Sequence, residues 1–384
     1  ATFAVFNSGL SSSDVRDIKY ANSATVFAAL YEYGSGVIAG VYRSDNGGAW
    51  TDFNAPGGGT AITNKKIVAL ELDGTGALYA AAADFSSNSG NLFKTSGSGW
   101  TKLTPKPNDP ADAHSVVALH RDRNNGNRIW VGFGYQGPTV TSNNGASFEF
   151  AHSLAEQSIF SGVYAFLTVS GFSGVVRAVE GAGLFRTAGS GSPSSDTSAQ
   201  LTGLSADRVL AFAPAPSQTS TIYMGLAANG GVLKSTDSGT NWTRVVTGFE
   251  NKSNYSEFRR LHTIRHLAVS PSDPNTAYAA SEPAGLYFTT NGGGNWTPVT
   301  ISPFPNSPLG SFIRPGGLLA VSGSDILYSL FSPDTGSGLY RGSQNSWSKA
   351  TTSPAQASIF PFGPERLIRG ASGRIYALLD DQRP

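Results

Sequence analysis

Four stretches of the chain share one pattern of apolar and polar positions. VRDIKYANSATVFAAL (15–30), IVALELDGTGALYAAA (67–82), VLAFAPAPSQTSTIYMGL (209–226) and IRHLAVSPSDPNTAYAA (264–280) each hold two short apolar runs joined by a polar turn. Runs this short, rich in Val, Ile, Ala and Tyr and bounded by Gly, Asn, Asp and Pro, predict antiparallel strand pairs. A third run, such as GVLKS or GLYFT, leads into a glycine-rich turn, and a fourth, such as WTRVV or WTPVT, leaves it. No segment carries a convincing helical period.

The unit recurs. Its turn begins at Tyr42 (YRSDNGGAWTDF), Phe93, Val140, Leu184 (a degenerate LFRTAGSGS), Leu233, Tyr287 and Tyr340. Aromatic anchors follow at Trp50, Trp100, Phe148, Trp242, Trp296 and Trp347, at spacings of 50, 48, 94, 54 and 51. The 94 is twice 47, and the anchorless copy sits inside it. A period near fifty with four short strands per repeat is the pattern of a β-propeller blade. The expected architecture is all-β: a single propeller domain over 1–384, with four-stranded antiparallel blades at about 10–55, 60–104, 112–151, 161–203, 207–247, 263–300 and 315–351. ERLIRGASGRIYALL (365–379) reads as two strands of a further unit, and ATFAVFNSGL at the start reads as a last strand with its exit turn. The favoured expectation is an eighth, closing blade from 364–384 plus 1–8, which would remove exposed sheet edges; seven blades with a terminal extension is the alternative.

Composition narrows the function classes. The net charge is +1 and charged residues make up 14% of 384, without the basic excess of a nucleic-acid binder. No apolar run approaches the length that crosses a bilayer. The absence of cysteine excludes disulfides and thiolate metal sites. Richness in Ser, Thr, Gly and Asn, and a start at Ala1, suit an exported protein (secreted, periplasmic or on the cell surface) whose signal peptide has been removed.

The glycine-rich turns resemble the Asp box, or BNR repeat, with its pattern Ser/Thr-x-Asp/Asn-x-Gly-x-x-Trp/Phe. The pattern is complete at Ser235, Asp237, Gly239 and Trp242, at Thr289, Asn291, Gly293 and Trp296, and at Thr141, Asn143, Gly145 and Phe148. Around Asp45, Gly47 and Trp50 the first position is Arg43, a departure. The acid is expected to accept turn amides, the glycine to take a backbone angle that a side chain opposes, and the tryptophan to pack between sheets. This is a structural reading, with no metal and no cofactor in it. The resemblance implies a propeller like those of sialidases, family 74 xyloglucanases, sortilin-type receptors and photosystem assembly factors.

Resemblance to other propellers implies that ligands meet the face opposite these turns. There the longest polar stretch, FENKSNYSEFRRLHTIRH (249–266), gathers Tyr255, Glu257, Arg259, Arg260, His262, Arg265 and His266. Arg16, Lys65, Lys66, His114, Arg208, Arg314 and Arg366 stand at comparable places, either as a positive funnel for acidic glycans or as partners of Asp14, Asp207 and Glu365. Loops between second and third strands add Tyr31, Tyr135, Glu180 and Glu282. Glycoside hydrolysis needs two carboxyl groups roughly 5–5.5 Å or about 6.5–9.5 Å apart, and Glu257, Glu282 and Glu180 are the candidates. A polysaccharide lyase would instead use His262 or His266 as base. Tyr255, Arg259, Arg260, Arg265, Tyr31, Tyr135 and Arg314 are the candidate ligand-binding residues. The sialidase Arg-Ile-Pro motif has no early counterpart, FIRP (312–315) being late. RDRNNGN (121–127) lacks the closing glutamate of a calcium loop. The expected function is a polysaccharide-active enzyme, hydrolase or lyase, on a polysaccharide or oligosaccharide that the cations would let be acidic. A non-catalytic carbohydrate-binding or adhesion module, or a protein-docking scaffold, is the alternative.

Overall fold

The computed structural model describes residues 8–10, 14–31, 39–62, 66–84, 89–96, 99–106, 115–134, 137–151, 163–168, 174–179, 183–188, 199–200, 209–227, 231–249, 263–282, 285–299, 314–323, 325–331, 338–344, 346–350, 366–369 and 373–378. The chain divides into two compact units, one centred on Phe6–Ala206 and the other on Asp207–Arg369. Among the described residues there are seven four-stranded antiparallel sheets and one two-stranded sheet, each ordered as its strands follow in the chain. The sole helical element among them is a single 3-10 turn at Pro56–Gly58.

The first unit holds four sheets. Sheet 1 is Val15–Tyr20, Thr25–Leu30, Gly40–Asp45 and Thr51–Asp52. Sheet 2 is Ile67–Leu72, Leu78–Asp84, Ser89–Ser96 and Gly99–Leu103. Sheet 3 is Val116–Arg121, Ile129–Phe133, Thr139–Thr141 and Glu149–Phe150. Sheet 4 is Val163–Thr168, Gly174–Val179, Gly183–Ala188 and Ala199–Gln200, so the repeat without an aromatic anchor folds like the others. In the second unit, sheet 5 is Val209–Ala215, Gln218–Leu226, Val232–Ser235 and Thr243–Arg244. Sheet 6 is Thr263–Val269, Ala277–Glu282, Gly285–Thr289 and Thr297–Pro298. Sheet 7 is Arg314–Ser322, Asp325–Phe331, Gly338–Ser343 and Ser346–Lys349, and sheet 8 is Arg366–Arg369 with Ile375–Leu378.

Second strands are continuous apolar runs because both of their faces are covered. In sheet 6, Ala277 and Ala279 pack into a core shared with Ala213, Tyr223 and Val232 of sheet 5. Tyr278 and Ala280, the alternate residues, pack into a core shared with Leu318, Ile326 and Tyr340 of sheet 7. Sheet 2 divides the same way: Leu78, Ala80 and Ala82 join Phe27 and Val41 of sheet 1, while Tyr79 and Ala81 join Val131 and Phe133 of sheet 3. The period of two in a strand therefore feeds two different cores. Fourth strands of two residues at Thr51–Asp52 and Thr243–Arg244 are exposed. First strands of consecutive sheets lie against one another within each unit.

A backbone latch repeats at the entrance to the fourth strand. The Trp50 amide donates to Ser8 O at 2.8 Å, the Trp100 amide to Thr60 O at 2.9 Å and the Trp296 amide to Thr247 O at 2.8 Å. Gly9 and Gly248 follow two of these acceptors at φ of 92° and 93°, and a Cβ at either would strike the carbonyl of Trp50 or Trp296. The Trp100 and Trp296 indoles, 2% and 1% exposed, donate to Phe53 O at 2.9 Å and Val245 O at 2.8 Å, on the preceding repeats. Trp242 differs: half-buried, its indole turns onto its own hairpin, donating to Gly239 O at 3.1 Å.

His120 closes the seam between sheets 3 and 4. Its Nε2 lies 2.6 Å from Thr168 Oγ1 and accepts the Thr168 amide at 3.1 Å, while the ring stacks on Phe166. Burial first, then Lys19, Arg123 and Arg121, push this imidazole down to about 3.

Replacing Trp100 or Trp296 by alanine should cost about 3–5 kcal/mol, and Trp242→Ala less than about half of that; denaturant unfolding measures all three, and equal losses would contradict the packing difference. His120 sets an acid limit. The unfolded chain takes up its proton near the ordinary 6.5 and the fold only near 3, so this contribution is complete above pH 6.5 and is lost as pH falls. Stability should drop by roughly 1.4 kcal/mol per pH unit across that window, and melting curves of His120→Gln should be flatter there than those of the parent.

Candidate functional site

Antiparallel register gives every sheet two edges. One holds the ends of first and third strands and the starts of second and fourth strands, as in the pairing of Thr25 with Asp45. The other holds the starts of first and third strands and the ends of second strands, as where Val15, Leu30 and Gly40 align.

The glycine-rich turns occupy the first edge, and three share one hydrogen-bond pattern. Ser235 Oγ accepts the Gly239 amide at 2.8 Å and donates to Asp237 Oδ1 at 2.9 Å, and that oxygen accepts the Asn241 amide at 2.8 Å. Thr289 and Asn291 do the same for Gly293 and Asn295, at 3.0, 2.8 and 2.9 Å. Thr141 and Asn143 do so for Gly145 and Ser147, each at 2.9 Å. The glycines stand at φ of 80°, 89° and 86°. Where Arg43 replaces the hydroxyl residue, the pattern changes: Asp45 accepts from Thr25 Oγ1 at 2.7 Å and from Arg43 Nε at 3.1 Å, while Gly47 keeps its φ of 74°. In the three matching turns these groups are engaged within their own turn, an arrangement that fastens a hairpin.

The second edge carries a backbone irregularity that recurs in all seven four-stranded sheets. One extra residue sits near the start of each first strand: Arg16, Val68, Val117, Tyr164, Leu210, Arg265 and Gly316. A bulge bends the strand and re-aims the side chain beside it. Both charged members of this set hold a carboxylate. Arg16 forks onto Asp14, with Nε 2.8 Å from Oδ1 and Nη2 3.0 Å from Oδ2, and its guanidinium lies 5.2 Å from the centre of the buried Tyr31 ring. Arg265 Nε is ion-paired to Glu282 Oε2 at the end of the second strand of sheet 6, the arginine 37% and the glutamate 14% exposed. A planar guanidinium against a carboxylate is a pre-oriented fork for hydroxyl and carboxylate groups.

The other candidates are placed as follows. His266 is the next residue after Arg265, opposite Ala280 and half-buried. Arg314 begins the first strand of sheet 7, opposite Phe331. Glu257, Glu180, His262, Tyr255, Arg259, Arg260 and Tyr135 lie outside the described residues. The structure thus brings together Arg265 with Glu282, and Arg16 with Tyr31 and Asp14, each pair within its own unit. The bulge itself left no trace in the sequence, because its seven residues share no type. Among the described residues no group of three His, Cys, Asp or Glu side chains could hold a metal ion, and no helix is long and apolar enough to cross a membrane.

No protein-family model matches the chain, and no curated protein matches it. Solved structures do. A GH74 xyloglucanase from Xanthomonas campestris aligns with a TM-score of 0.55 and 16% identity over 97% of this chain and 59% of its own. PorZ, a surface component of the type-IX secretion system of Porphyromonas gingivalis, aligns at 0.54 and 16% over 85% of this chain and 46% of its own. YCF48 with a bound peptide aligns at 0.50 and 12% over 84% of this chain and 90% of its own. The chain therefore spans 59% and 46% of the first two proteins. At such identities the likeness shows the fold alone, and that fold is a β-propeller.

Proposed function

We propose that this chain is an exported, polysaccharide-active propeller whose glycan lies along the bulged edge, and that it degrades that glycan. The observation that carries this is the pair Arg265–Glu282, held at a bulge on the edge away from the glycine-rich turns. Glu282 is one carboxyl of the pair that hydrolysis needs, with Glu257 as the second; His266 or His262 would be the base of a lyase. Arg265 orients sugar hydroxyls, and carboxylates where the glycan is acidic. Similarity to a xyloglucanase supports the reading. Similarity to PorZ, a bacterial surface component, supports export. A second reading, a non-catalytic glycan-binding module, is favoured by one feature: Asp14 and Glu282 are both already engaged by arginine.

We also propose that the repeats close as eight blades and that the turns are Asp boxes. Ser8 O receives the Trp50 amide as Thr247 O receives that of Trp296. Gly9 matches Gly248 in φ and in its approach to the tryptophan carbonyl. Ser8 thus occupies the place that follows a fourth strand elsewhere, which supports the reading of 1–8 with 364–384 as a closing blade.

Release of reducing ends, or of absorbance at the wavelength of an unsaturated uronate, from a panel of neutral and acidic polysaccharides tests the activity. Glu282→Gln should lower turnover by roughly a hundredfold or more with circular dichroism unchanged; full activity in that variant sinks the assignment. Saturable binding without turnover, weakened in Arg265→Ala, selects the second reading. Deleting residues 1–7 should lower the melting temperature by several degrees, and an unchanged Tm removes the closing strand.

A further inference from the structure

At the opposite end of the first strands, sheets 1 to 3 bring cations together. Lys19, Glu71 and His120 hold the same place, three residues past the bulge, in consecutive first strands. Lys19 Nζ is 3.2 Å from Glu71 Oε2, and the Arg121 amide reaches the same oxygen at 3.3 Å. The Arg121 guanidinium leans over the strand end to Asp73 O at 3.4 Å. The Arg123 amide lies 3.5 Å from Thr168 Oγ1, which also meets His120. Lys19, Arg121 and Arg123 all act on the enclosed imidazole.

The neighbouring acids do not balance them. Asp73 is taken by Lys94 at 2.9 Å and Asp122 by Arg128 at 3.0 Å. Asp17 accepts the amides of Ile18 at 2.9 Å and Leu70 at 3.0 Å. Asp17 keeps its charge and Glu71 remains, so three cations less two carboxylates leave a local excess of one positive charge. Like charges gathered beside a desolvated ring repel, and an arrangement of this kind is relieved by a bound anion. The strand does not demand the charges. In the second unit the same place holds Ala213, Ala268 and Leu319.

We propose that Lys19, Arg121 and Arg123, with His120 beside them, bind an oxyanion: a sulfate or phosphate group, free or carried on a larger ligand. The site lies at the far end of the strands from the glycan edge and is independent of the glycan reading. Lys19 and Arg123 supply ammonium and guanidinium donors, Arg121 closes over the anion, and Glu71 limits the affinity by competing for Lys19.

Titration of the full chain with inorganic sulfate and, separately, inorganic phosphate at constant ionic strength, followed by calorimetry and by the His120 imidazole signals in NMR, tests this. Saturable binding is expected, with the His120 titration moving upward because an anion favours the imidazolium. The double variant Arg121→Gln/Arg123→Gln should weaken binding roughly tenfold or more, and Glu71→Gln should strengthen it. A preference for one anion identifies the group. The same response to chloride, no saturation at millimolar anion, or binding indifferent to the double variant would overturn the proposal.

Discussion

Among the described residues, each four-stranded sheet has a second strand apolar on both faces and no means of covering either alone. The second strand shows the constraint in miniature: Ala277 and Ala279 serve one core, Tyr278 and Ala280 another. A one-residue slip would exchange the two sets and pair a tyrosine with the face built for alanine. Register and stacking are thus the same requirement. It explains why second strands read as continuous apolar runs and why the repeat must be multiplied before it is stable.

Once the faces are spent on packing, chemistry is left to the strand ends, and the two ends are treated differently. At one, hydroxyl, carboxyl and glycine close a hairpin on itself, as in Ser235, Asp237 and Gly239. At the other, a bulge in the first strand of each four-stranded sheet breaks the ladder near its start. The hairpins of the first end consume their own polar groups; the bulges of the second set arginine against carboxylate in sheets 1 and 6. Arg265 and Glu282 are 17 residues apart and meet because the bulge turns one toward the end of the other's strand.

Much of the fold was legible because it depends on patterns a sequence displays openly. Runs such as TVFAAL and AYAASE announce buried strands, and a glycine between an acid and a tryptophan announces a hairpin. Less of the site was legible. The bulge is a backbone event with no residue signature, since Arg16, Val68 and Gly316 all occupy it. The pairing of Arg16 with Asp14 could be anticipated from their closeness in sequence. The burial of Tyr31 beneath that arginine could not. Trp242 and Trp296 have the same motif, yet one indole stays on its own hairpin and the other reaches the preceding repeat, a choice made by neighbours that the motif does not contain. His120 passed unnoticed although Lys19, Glu71 and His120 recur at nearly the period of the repeat.

The likeness to a xyloglucanase at 16% identity follows from the same physics. Stacked sheets need period-two apolarity and tight turns, which many sequences supply, so the fold persists while its strand ends diverge. What the protein does must then be sought where its own repeats disagree. At the bulge they disagree sharply: two arginines, each fastened to a carboxylate, against Val68, Val117, Tyr164, Leu210 and Gly316. A lectin that bound one sugar per repeat would carry the same contacts at each of these places. Charge is confined to two of them, in a chain with 14% charged residues, and each is met by a carboxylate of its own unit. Three of the turns on the other edge, by contrast, repeat one hydrogen-bond pattern residue for residue.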